Sequence, residues 1–286
     1  MPKRVAIVTD STACVPRELV EQYGIRVVPI NVIFEDRVYR DGVDITPEEV
    51  YSFLKGAKKL PTTSSPPPGV YLETYREASK GTEGILCISV SSGLSSIFES
   101  SWQAKELAKE ELPGVAIEVI DCRTAAGGQA FVVMEAARAA ASGHTLAEVT
   151  EVAKSMMAKV NIIVILDTLY YLAKGGRIPK AAAWAGSFLD IKPIIEVAKG
   201  EVSLLERART KPRGVERLLK IMRERVGMEK PLHVIVMHAN AAQEAEKLKD
   251  RVVSEFDCAE LFTTEFTPVM GIHTGPGLLG LAFYAD

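Results

Sequence analysis

The sequence predicts a two-domain α/β protein. An N-terminal α/β/α domain with a parallel sheet is expected over residues 1–160, and a C-terminal α+β domain with a mixed or antiparallel sheet over residues 161–286. Three observations predict this. From Val5 to Val160 short apolar runs alternate with helical patterns, and parallel strands need such crossovers. After Ile162 the texture changes: two β-type runs flank Ala198-Lys199-Gly200, a hairpin signal. Polar clusters stand where apolar runs end, at Asp10-Ser11-Thr12, Ser91–Ser96 and Asp121–Thr124. Ligands of open α/β sheets sit outside those carboxyl ends.

In chain order, Val5–Thr9 reads as a strand and Pro16–Tyr23 as a helix. Val27–Phe34 is expected as one strand, with Glu35–Tyr39 continuing or returning from it. Thr46-Pro47-Glu48-Glu49 combines an N-cap, a first-turn proline and a capping glutamate, opening a helix to about Lys58. Leu60–Gly69 is expected as a loop stiffened by three prolines, followed by a helix over Val70–Lys80. Ile85–Val90 is a buried strand that turns through Ser91-Ser92-Gly93 into an amphipathic helix. Ser96-Ile97-Phe98-Glu99 fits the Ser-x-x-Glu capping box at its start. Val115–Ile120 is a strand, Ala125–Ser142 a small-residue helix, and Thr145–Glu148 caps a helix to about Val160.

Ile162–Leu166 opens the second part as a strand, and Leu169–Lys174 is a short helix stopped by Gly175-Gly176. Strands follow at Ile191–Val197, Glu201–Arg207, His233–His238, Glu260–Phe266 and Leu279–Tyr284. Helices are expected at Val215–Val226 and Ala242–Phe256.

Composition excludes several classes. A net charge of −3 and a pI near 5.9 argue against broad attraction to nucleic acid or anionic membrane. The four cysteines are scattered without a Cys-x-x-Cys pair, and the four histidines form no metal spacing, so no metal site is expected. The basic start MPKR precedes an apolar run too short for a signal peptide, and no run approaches a bilayer span. The expected location is the cytoplasm. No phosphate-cradling Gly-x-x-x-x-Gly-Lys loop, Gly-x-Gly-x-x-Gly turn or Gly-x-Ser-x-Gly elbow occurs. Asp10 ends its strand as an aspartyl nucleophile would, but Thr12 stands where such enzymes place a second carboxylate. Asp10 therefore reads as a turn and cap residue.

Seven motifs in order, nearly spanning the chain, resemble the DegV family of bacterial lipid-binding proteins of the fatty-acid kinase system. They are Asp10-Ser11-Thr12, Thr63-Ser64-Ser65-Pro66 with Ser65 in place of the family's Gln, and Ser91-Ser92-Gly93-Leu94-Ser95. Val119-Ile120-Asp121, Gly175-Gly176-Arg177-Ile178, Lys192-Pro193-Ile194 and Gly275-Pro276-Gly277 complete the set. Ser96, Ile97 and Phe98 depart from the family's Gly-Thr-Tyr.

The resemblance implies a long-chain fatty acid enclosed between the two domains, its acyl chain in a tunnel and its carboxylate near their junction. The carboxylate-binding positions map onto Thr63, Ser95 and His273, and positions for product or partner contact onto Arg177 and Arg209. The implied role is a carrier, with no catalytic residue and no cofactor, that presents the acid to a separate ATP-dependent kinase. Burying about 15 methylenes at ~0.8 kcal/mol each gains on the order of 12 kcal/mol gross, of which ordering costs consume a large part. A carboxylate taken inside needs donors, which hydroxyls supply without a fixed charge.

Read alone, Thr63 is equally a turn former, His273 a structural histidine beside a glycine turn, and Arg177 a solvated arginine near a helix end. The apolar side chains of Ala181–Ile195 and Leu278–Phe283 are either plain core or tunnel wall. Two rivals stay open: a kinase or phosphotransferase for a small polyol or keto substrate, and a lipid-sensing regulatory protein.

Overall fold

The computed structural model describes residues 4–56, 59–178, 191–226 and 230–286. In chain order it runs β1 (Val5–Asp10), a 3-10 turn (Ser11–Ala13), α1 (Arg17–Tyr23), β2 (Arg26–Val28), β3 (Asn31–Phe34), β4 (Arg37–Arg40), α2 (Pro47–Gly56) and β5 (Thr62–Ser64). Then come α3 (Pro68–Ser79), β6 (Gly84–Ser89), α4 (Ile97–Glu111), β7 (Ala116–Asp121), α5 (Ala126–Ala141) and α6 (Leu146–Lys159). The remainder is β8 (Asn161–Ile165), α7 (Tyr170–Lys174), β9 (Lys192–Ala198), β10 (Glu201–Ala208), α8 (Lys211–Val226), β11 (Leu232–His238), α9 (Ala242–Glu255), β12 (Cys258–Glu265), α10 (Pro268–Thr274) and β13 (Leu279–Ala285). The expected helix end at Lys58 and the stretch Ala181–Asp190 lie outside the described residues.

The first sheet is parallel throughout, in the order β2-β1-β6-β7. Helices α3 and α4 pack on one face of it, and α5, with α1 and α6 against it, on the other. The chain leaves β1 toward β2 but leaves β6 toward β7, so the strand order reverses between β1 and β6. That reversal opens a crevice at their carboxyl ends. The second sheet is mixed, in the order β10-β9-β8-β13-β11-β12, with only β11 and β12 parallel.

Helix α5 belongs to both halves. Small residues bring it close to β13 and β11: a Cβ on Gly127 would stand 2.7 Å from the Ala282 Cβ and 2.8 Å from the Met237 sulfur. One apolar core therefore runs from Val5 on β1 to Tyr284 on β13. A second, formed with α8 and α9, covers the far face of the six-stranded sheet. Alternation along the strands sorts the side chains. Ile163, Ile165 and Ile194 enter the far core, while Ile162, Val164 and Ile195 face α5.

Three local expectations are corrected, and one helix is added. Val27–Phe34 is two strands in different sheets, because Pro29 has no N–H to continue a ladder. The proline-stiffened loop contains β5, which joins β3 and β4 in a third, antiparallel sheet with Thr63 opposite Val32. The Ser96 capping box does not form, since the hydroxyl is engaged elsewhere. His273 lies on a helix, α10, that begins at Pro268 and stops at Gly275 with φ 72°. A Cβ on Gly275 would stand 2.2 Å from the Tyr171 ring, so glycine serves both the turn and the contact with α7. The boxes at Thr46 and Thr145 do form.

Candidate ligand-binding cavity

A cavity of about 360 Å³ opens at the reversal between β1 and β6 and extends between α5 and the second sheet. Its size falls within the range of small-molecule sites. The body is apolar, walled by Ile97 and Leu278 and by Ile162, Val164, Ile195 and Val197 of the second sheet. Thr63, Ser65, Ser95, Ser96, Arg177 and His273 give it polar lining.

Each polar group is delivered by a different element. β5 pairs with β3 and turns Thr63 inward while Thr62 and Ser64 stay exposed. Ser95 sits half-buried in the turn after β6, its amide bonded to the Ser91 carbonyl at 3.1 Å. Ser96 ends that turn, and its hydroxyl meets the Ser65 hydroxyl at 2.8 Å, linking the loops after β6 and β5. α10 carries His273, and the α10 start is held where the Val269 amide donates to the buried Asp41 carboxylate at 2.9 Å.

The Thr63 Oγ1 and His273 Nε2 atoms stand 2.9 Å apart. Burial, with the nearby Arg177 charge, pushes the His273 pKa down to about 3, so the ring is neutral at physiological pH. Among the described residues His273 Nδ1 has no hydrogen-bond partner. A bare buried N–H costs more than a bare lone pair, so hydrogen-bond satisfaction favours the tautomer with its proton on Nε2. Nε2–H then donates to Thr63 Oγ1, leaving the threonine's own proton to turn toward a ligand oxygen.

Arg177 lines the same cavity half-buried, with Nη1 donating to the Gly175 carbonyl, and burial lowers its pKa. A fixed positive charge thus stands closer to the hydroxyls than hydroxyl-only recognition of the head expects. Arg209 is exposed between β10 and α8 and is not among the lining residues.

Beneath the polar lining lies a network for which no motif search prepares. Asp10 caps the 3-10 turn, accepting from the Thr12 amide at 3.1 Å and from its hydroxyl. Its other oxygen accepts from the Val90 amide at 2.9 Å and from Gln129 Nε2 at 3.1 Å. The carboxylate is buried, with every oxygen occupied, as a cap requires and a nucleophile does not. Thr12, which it holds, also lines the cavity. Gln129 stands alone in the sequence, 119 positions from Asp10, and no spacing rule finds it. Ser65 reads from the sequence as a motif substitution and Ser96 as a helix cap, and neither reading contains their contact with each other. Among the described residues no group of His, Cys, Asp or Glu is placed to hold a metal. Cys14, Cys87 and Cys122 are buried free thiols.

This is an α/β protein whose strand-reversal crevice continues into a mainly apolar cavity with a hydroxyl-rich polar lining. The chain belongs to the DegV family: the family model, described as an uncharacterised protein family, matches residues 4–286. A DegV domain-containing protein of Streptomyces coelicolor is 36% identical over 283 residues, 98% of each chain. A solved structure described as fatty acid binding of a DegV family protein from Thermus thermophilus superposes with a TM-score of 0.91 at 31% identity, covering 99% of this chain and 100% of that one. A stearic acid-binding protein from Eubacterium ventriosum superposes at 0.90 with 27% identity, covering 98% of each. No helix among the described residues is long and apolar enough to cross a membrane.

Proposed function

We propose that the chain binds one long-chain fatty acid in this cavity and presents its carboxylate to a separate ATP-dependent kinase, as a cytoplasmic carrier without catalysis of its own. One observation carries the reading. A largely apolar cavity has hydroxyls and a neutral imidazole in its wall, with Thr63 and His273 2.9 Å apart. That chemistry suits a greasy tail with an acceptor head, and the Thermus and Eubacterium relatives are described as fatty-acid and stearic-acid binders. Thr63 and Ser95 would donate to the carboxylate, with His273 orienting the Thr63 proton. A lysine or arginine clamp closing on both oxygens would shield the head from phosphorylation, whereas Arg177 is tethered to the Gly175 carbonyl. Division into two lobes near residue 160 fits an acid enclosed between them.

Denaturing the purified protein and analysing the extract by mass spectrometry tests the reading. About one long-chain fatty acid per chain is expected; a nucleotide or phosphorylated polyol in its place would replace carrier with kinase. In a reconstituted reaction with kinase and ATP, Arg177→Ala and Arg209→Ala should keep the lipid and lower acyl-phosphate output. Loss of bound lipid from Arg177→Ala would move that residue to the head-group site.

A further inference from the structure

The far end of the cavity is closed by a defined pair of side chains. On the face toward α5, the second sheet presents its residues in rows across the strands. One row holds Gly280, Val164 and Ile195, with Gly280 paired to Val164 and Val164 to Ile195. The next holds Ala282 paired with Ile162, and Val197 paired with Val202. The β8–β9 ladder, stepping on from Ile163 opposite Glu196, sets Ile162 beside Val197. This row is the last before the sheet ends, since β8 begins at Asn161 and β9 finishes at Ala198. Strand direction puts it away from Arg177 and His273, because β8 runs from Ile162 toward α7 and Gly175, against which His273 packs.

Beyond the row lies a separate groove of about 450 Å³, in which Met157 and Val160 share the lining with the charged Arg123, Lys154, Glu196 and Arg225. Ile162 and Val197 line both the cavity and the groove. The partition is therefore only these side chains thick. Both are β-branched and stiff at χ1, and Ile162, only 4% exposed, is held by the core while Val197 is half-buried beside it.

We propose that the Ile162–Val197 pair is the end stop that fixes the longest acyl chain this protein accepts. A methylene beyond the stop has no cavity to enter. Removing the stop joins the cavity to the groove, where Met157 and Val160 offer apolar surface to further methylenes. The inference rests on the fatty-acid reading and specifies its chain-length limit.

The full-length protein, delipidated and reloaded, is offered an equimolar series of saturated straight-chain fatty acids, shorter to longer than the one it retains on purification. The bound set is read by mass spectrometry. Ile162→Ala and Val197→Ala should raise the ratio of acids two carbons longer to the native length by roughly tenfold, the gain for two newly buried methylenes. Val197→Phe should shift the profile toward shorter acids. Ile163→Ala removes the same atoms from the opposite face of β8, in the far core, and should leave the profile unchanged. An unaltered length profile in folded Ile162→Ala and Val197→Phe, with lipid bound, overturns the end stop and spares the carrier reading. A wild-type protein that takes up no acid overturns both.

Discussion

Thr63→Ala combined with Ser95→Ala should lower affinity for the fatty acid by about 100- to 10,000-fold while leaving the fold intact. A hydrogen bond to a charged group contributes roughly 1.5–3 kcal/mol, and every 1.4 kcal/mol is tenfold, so two such bonds supply that range. The tail contributes most of the gross binding energy, so weak binding persists instead of vanishing. Neither side chain supports the core. Thr63 is on a three-residue strand and Ser95 in a turn, both half-buried. Competition against a fluorescent fatty acid gives the affinity, and thermal unfolding confirms the fold. An unchanged dissociation constant in a double variant with native unfolding would remove these residues from the head-group site. Thr63→Ser should retain most of the affinity, because it keeps the hydroxyl that His273 orients.

Asp10→Ala should destabilise the protein by on the order of 3–5 kcal/mol, the range for stranding buried polar partners. The Thr12 and Val90 amides lose their acceptor in a fully buried site, and Gln129 Nε2 loses one of the acceptors it shares with Thr9 Oγ1 and the Ile88 carbonyl. Since the Val90 contact ties the end of β6 to the end of β1, the crevice itself loosens. Urea unfolding at neutral pH measures the loss, and a change under 1 kcal/mol would show that water replaces the carboxylate without cost. The same titration carried across pH has a definite sign. Burial raises the pKa of Asp10, and also of Asp41, above the ordinary carboxylate value, outweighing the hydrogen bonds that act the other way. The folded state thus holds these protons to higher pH than the unfolded chain. Their contribution is greatest below the unfolded value and is given up as pH climbs through the folded values. Asp41, buried beside Asp10, shifts the same way for the same reason. Asp41→Asn should flatten this part of the profile, and an identical slope would assign it to other groups.

How much of the site was legible follows from what each residue depends on. Ser91–Ser96 announces itself, because a strand emptying through small hydroxyl residues into a helix has one local meaning. The Thr46 and Thr145 caps are equally local, each closed within four residues. Ser96 fits the same pattern and fails, since Ser65, 31 positions away, competes for its hydroxyl. β5 was hidden for a similar reason: three residues before a run of prolines hold no strand by themselves, and β3 supplies the ladder. The α10 helix, only seven residues long and started by Pro268, is stabilised by Asp41 from a loop 228 positions away. His273 was found through resemblance, while its neutrality comes from burial that no local pattern records.

By itself the sequence determined the two sheets, most helices, the hairpin and the polar strand ends, because periodicity and caps act over a few residues. It also brought out the family, through seven short motifs in order. Only tertiary structure decided which of two apolar faces becomes cavity. Ile162 to Ile165 is apolar at every position, and pairing with β9 and β13, with α5 on one side and α8 on the other, sends alternate residues to cavity and core. Tertiary structure alone also joined Thr63 to His273 across 210 residues, since a hydrogen bond depends on distance in space and on nothing in the order of the chain.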